Sequence, residues 1–75
     1  MKNLSNITIA QFRKVLTKIG AHYIRTSGGH EVWSKVGLTR PIILQTHKDP
    51  IPEFVIKNNL RTLNLSKDDF LDLLD

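Results

Sequence analysis

His22-Tyr23-Ile24-Arg25-Thr26-Ser27-Gly28-Gly29-His30-Glu31-Val32-Trp33-Ser34-Lys35 decides the fold of this chain. Residues 22–26 are rich in strand formers, Ser27-Gly28-Gly29 supplies turn residues, and residues 30–35 alternate in polarity. Two short strands joined by so tight a connection predict a β-hairpin. Further along, Val36-Gly37-Leu38-Thr39 allows a second turn, and residues 41–45 read as a third strand. Pro41 stands near its start, where a missing N–H is tolerated. Three neighbouring strands in succession predict an antiparallel meander.

On both sides of the meander the apolar period becomes helical. Upstream, Thr8 can cap a helix with Gln11 three residues on, and Ile7 can staple to Phe12. Phe12, Leu16 and Ile19, with Val15 beside them, form one stripe, and Gly20 is a natural stop. Arg13, Lys14 and Lys18 fall off that stripe, towards water or a polyanion. Downstream, residues 46–50 form a loop, and Pro52 suits the first turn of a second helix. Ile56, Leu60 and Leu63 supply its buried stripe, and Asn64-Leu65 break it. Ser66 caps a last short helix, with Asp68 and Asp69 in its first turn and Phe70, Leu73 and Leu74 as its apolar side. Phe12, Phe54 and Phe70 read as core. The expected fold class is α+β, with a three-stranded antiparallel sheet, helices on one face and a single domain over residues 1–75.

The chain has 75 residues and no cysteine. A domain this small has little core from which to carve a deep cavity, so function should sit on an exposed face or loop, against a macromolecule. Disulfides, thiolate metal sites and cysteine nucleophiles are excluded. The start of the chain has no signal-peptide shape, and no stretch approaches the ~20 apolar residues of a membrane span. A cytoplasmic protein with no membrane association is therefore expected.

The net charge is +4, unevenly distributed. Residues 1–48 carry eight Lys or Arg against the single acid Glu31, a balance of +7. Residues 49–75 carry three bases against six acids, a balance of −3. This asymmetry predicts a basic working surface that attracts phosphates, although ordinary charge scatter gives a plainer account.

Three histidines are the natural candidates for proton transfer near neutral pH. His30 follows Gly28-Gly29, glycines that allow a ligand backbone to approach closely and leave the imidazole unshielded. There it can take or give a proton during RNA cleavage, where the 2′-hydroxyl is the substrate's own nucleophile. By position alone, a strand-initial histidine filling space beside a turn is the simpler reading. His47, followed by Lys48 in the loop after strand three, is a second and weaker candidate. His22 reads as a packing or edge residue. The spacing 22, 30, 47 matches no metal-ligand motif, so neither metal nor cofactor is expected. Arg25, Lys35, Arg40 and Lys48 lie beside the histidines as candidates for phosphate binding. Tyr23 and Trp33 read as bases' stacking partners or as cross-strand packing, the latter being the simpler.

The segment Tyr23–Trp33, with Ile42-Ile43-Leu44-Gln45-Thr46-His47, Asn59-Leu60-Arg61 and Leu65-Ser66-Lys67-Asp68-Asp69-Phe70-Leu71, resembles the HicA toxin family in order and over nearly the whole chain. The resemblance implies a fold like the double-stranded-RNA-binding domain, α-β-β-β-α with a short C-terminal helix. It implies a type II toxin–antitoxin component, an mRNA endonuclease (mRNA interferase) neutralised by a HicB-type antitoxin. It places the essential catalytic histidine at His30, while the residue reading keeps His47 as a weaker catalytic assistant. On the residue reading, Arg25, Gly28, Gly29, Lys35 and Lys48 are the candidates for contacting the RNA phosphates. Gly29 stands where the family usually has serine, and the proline commonly two residues before the second histidine is replaced by Gln45. Two other classes remain on the sequence: a non-catalytic RNA-binding module on the same fold, and a protein-interaction subunit.

Overall fold

Thr8 starts the first helix as its spacing predicts. Its hydroxyl accepts the Gln11 N–H at 3.1 Å, and the Gln11 side chain accepts the Thr8 N–H at 2.8 Å, a reciprocal capping box. The helix α1 (Ile9–Lys18) ends where Gly20 adopts φ +88°. Ala21 N–H then reaches the Leu16 carbonyl and Gly20 N–H the Thr17 carbonyl, a Schellman closure that turns the chain into the sheet. The computed structural model describes residues 3–74; Lys2 and Asp75, counted in the charge balance, lie outside them.

Three strands follow: β1 (His22–Ser27), β2 (His30–Ser34) and β3 (Ile42–Gln45), antiparallel in the order β1-β2-β3. Two helices complete the chain, α2 (Glu53–Leu63) and α3 (Lys67–Leu73). The fold class is α+β, with the element order α-β-β-β-α-α that the sequence predicts. Strand boundaries differ slightly: Pro41 lies just outside β3, and Lys35 just outside β2.

Alternation sorts the sheet into two faces. Ile42 and Leu44 are fully buried and pair with Trp33 and Glu31, so these four face the helices. His30, Val32, Ile43 and Gln45 occupy the opposite, open face. All three helices contribute to the core on the first face: Phe12, Val15 and Leu16 from α1, Ile56 and Leu60 from α2, Phe70 and Leu71 from α3. The rings of Phe12 and Phe70 lie 5.4 Å apart, tying the two ends of the chain together. Truncating either to alanine should cost about 3–5 kcal/mol.

Some expectations need correction. Phe54, expected in the core, is 64% exposed, because it points away from the stripe of Ile56 and Leu60 that α2 presents to the sheet. On α3 the second deeply buried residue is Leu71, while Leu73 and Leu74 pack only partly against the core. Pro52 is the N-cap of α2 rather than a residue of its first turn. Arg13, expected to point to water or a polyanion, instead binds Glu31 in a bidentate pair, Nε to Oε1 at 2.9 Å and the guanidinium Nη2 to Oε2 at 2.6 Å. Trp33 Nε1 donates to the same carboxylate at 2.7 Å.

Candidate active site

Ser27 and His30 pair across a two-residue turn whose glycines both have positive φ, +55° at Gly28 and +80° at Gly29. This is the turn whose twist matches that of the flanking strands, and it demands residues that tolerate φ > 0. His30 thereby opens the central strand. Its backbone pairs with Ser27 across the turn and lies opposite Gln45 on the other side, while its side chain stands exposed on the open face.

The loop after β3 folds back onto this turn. Thr46 donates to the Gly29 carbonyl twice, through its N–H at 2.8 Å and its hydroxyl at 3.0 Å. Lys48 N–H closes on the Gln45 carbonyl at 3.2 Å. Farther along the loop, Asp49 accepts the Ile9 N–H at 3.2 Å, and Ile51 N–H donates to the Ile7 carbonyl at 2.8 Å. Both ends of the loop are therefore fastened, and His47 lies between them. Its Nδ1 is 3.6 Å from the position a β-carbon on Gly29 would occupy. At this corner of the sheet His47 thus lies against the turn that leads into His30, 17 residues earlier in the sequence, and Lys48 beside it is exposed.

Arg25 joins this face through a β-bulge. The ladder pairs Tyr23 with Trp33 but Arg25 with Val32, leaving Ile24 as the extra residue. The bulge reverses the alternation, so Tyr23 faces the helices and Arg25 the open side. Arg25 stands diagonally from His30, two pairs removed along the ladder. His22 pairs with Ser34 at the far end of the same face.

Other candidates are not brought to the corner. Lys35 lies past the opposite end of β2, roughly 17 Å along the strand from His30. Arg40 precedes β3, at the end away from Gln45. Trp33, 8% exposed, and Tyr23, 52% exposed, lie on the same side of the sheet, where their rings meet edge to face at 6.1 Å. Packing, not base stacking on the open sheet, accounts for this pair. Among the described residues no three His, Asp or Glu side chains are gathered around a common point.

Two residues of the corner were missed from sequence. Thr46 reads as ordinary loop, and only the carbonyl it reaches gives it a role. Gln45 is the cross-strand partner of His30, and its Oε1 is buried with no hydrogen-bond partner. A buried acceptor without a donor is costly, and this oxygen has no accessible surface through which a ligand reaches it.

Directly behind His30, Glu31 turns to the helix side. The Arg13 guanidinium holds its carboxyl below the usual carboxylate range, against burial, with Trp33 assisting. The pair locks β2 to α1 and so fixes the strand that carries His30.

No family model matches this chain, and no curated protein or solved structure matches it. No described helix is long and apolar enough to cross a membrane.

Proposed function

We propose that this protein is an endoribonuclease that cuts single-stranded RNA through the substrate's own 2′-hydroxyl. More particularly, we read it as a HicA-type toxin, an mRNA interferase of a toxin–antitoxin pair acting in the cytoplasm. The observation that carries this reading is that His47 stands against Gly29, in the turn that leads into the exposed His30.

One imidazole removes the proton from the 2′-hydroxyl as the P–O2′ bond forms. The other gives a proton to the 5′-oxygen as the P–O5′ bond breaks. The products are a 2′,3′-cyclic phosphate and a 5′-hydroxyl, with no redox change and no net proton consumed. Arg25 and Lys48 flank the corner and offset the charge that gathers on the phosphoryl oxygens. The glycines let the RNA backbone come close. Thr46 supports the reading further, since its hydroxyl stands 3.8 Å from a β-carbon position on Gly29, where the family's serine would sit. A HicB-type antitoxin would neutralise the enzyme by covering this open face.

The test is RNA cleavage by purified protein in chelator, wild type against His30→Ala, with analysis of the new ends. Wild-type cleavage leaving cyclic phosphates, lost in the variant, is the expected result. Equal cleavage by both, or none by a folded wild type on RNA of varied sequence, overturns the reading.

A further inference from the structure

A second polar cleft lies beyond the histidine corner, at the other end of β3. It has a volume of about 540 Å³ and runs between the start of β3 and the outer side of α2. Arg40 and Pro41 form one wall, Asn58 and Arg61 the other, with Ile43 and Asn59 between them. Asn59 is nearly buried and donates to the Ile43 carbonyl at 3.2 Å, fastening α2 to the outer edge of the sheet. The cleft is thus built by a fixed contact between two elements.

Its electrostatics are one-sided. No acidic side chain lines it. Among the described residues, the guanidiniums of Arg40 and Arg61 and the carboxamide of Asn58 have no hydrogen-bond or ion-pair partner. Arg61 also borders a smaller cleft that contains Asp69, yet makes no ion pair with it. Two unpaired guanidiniums on opposite walls suit a phosphate, which each can grip through two N–H donors. The free carboxamide offers both a donor and an acceptor to a base edge, and the guanidinium planes offer surfaces for stacking.

The cleft also connects with the histidine corner. Ile43 shares the open face with Gln45, roughly 7 Å further along β3, and Gln45 is the cross-strand partner of His30. We propose that the Arg40–Arg61 cleft is a nucleotide subsite that grips a phosphate and base of single-stranded RNA, away from the bond that is cut. The proposal rests on the endoribonuclease reading and extends it. The subsite anchors one part of the strand while the histidine corner acts on another.

The probe is a short, labelled single-stranded RNA with 2′-O-methyl groups, which binds without being cut. Its affinity for the full chain is measured by fluorescence anisotropy across a salt series. In the double variant Arg40→Gln/Arg61→Gln, affinity should fall about tenfold or more. The salt dependence should become shallower by roughly 0.7–1.4 in log–log slope, matching one or two released phosphate contacts. Lys67→Gln removes a charge outside the cleft and should leave the slope unchanged. Probe addition should also shift the Asn58 side-chain amide resonances. If wild type and the double variant bind alike, the subsite is overturned while the cleavage reading stands. If wild type binds no RNA, both fall. If a glutamate-rich peptide binds in an Arg40- and Arg61-dependent way while RNA binding ignores both residues, the cleft is a protein-docking site and the proposal is wrong.

Discussion

Thr46 reaches the carbonyl oxygen of Gly29 with both of its donors, the N–H and the hydroxyl. Thr46→Val keeps the shape and the backbone bond and removes only the second. Stability should fall by about 0.5–1.5 kcal/mol. If the clamp sets the position of His47, RNA cleavage should lose kcat with little change in KM, and Thr46→Ser should restore it. A kcat unchanged in Thr46→Val would leave the hydroxyl a purely structural role.

The two turn glycines should respond differently to substitution. Gly28 at φ +55° is in the left-handed region that asparagine tolerates, whereas Gly29 at φ +80° lies beyond it. Gly28→Asn should be close to neutral in a urea melt. Gly29→Ala should cost about 1–2 kcal/mol through backbone strain. Steric contact adds little, because the nearest atom to the new β-carbon would be 3.6 Å away.

Gln45 invites a test that separates stability from function. Its buried Oε1 lacks a donor. Gln45→Leu removes that unmet acceptor, so the folded protein should be as stable as wild type or more stable by about 1 kcal/mol. RNA cleavage should stay close to wild type, because the oxygen is closed off from substrate. Denaturation midpoints and kcat/KM measured on the same preparation check both halves.

The Arg13–Glu31 pair predicts the acid limb of stability. The pair lowers the carboxyl pKa of Glu31 in the folded protein from the ordinary value of 4.5. The unfolded chain therefore takes up the proton first as pH drops. The pair's stabilisation is complete above about 4.5 and is lost as pH falls through the folded value. Arg13→Met should destabilise by roughly 1–3 kcal/mol at neutral pH, less than a fully buried pair would, because Arg13 is nearly half exposed. Thermal melts of Glu31→Gln between neutral and acid pH should show a flatter acid limb than wild type.

Much of this architecture is legible in the sequence because it depends on local chemistry. The Thr8–Gln11 box, the Gly20 stop, the Ser27–His30 turn and the Ser66 cap each lie within a few residues. What escapes is whatever depends on register. The bulge at Ile24 breaks simple alternation, so the face occupied by Arg25 cannot be counted from Tyr23. The pairing of His30 with Gln45, and the reach of Thr46 to Gly29, join segments more than a dozen residues apart. Arg13 misled for a related reason: its position on the helix marks it as solvent-facing, and only the packed sheet reveals the carboxylate it meets.

Glu31 is the one acid in residues 1–48, and it is turned inward, neutralised by Arg13. None of the strand residues on the open face is acidic. A polyanion diffusing towards that face therefore meets no repulsive spot among them, and its approach is drawn in one direction. The Arg13–Glu31 pair thus serves encounter as well as packing: it turns inward the charge that would otherwise slow arrival.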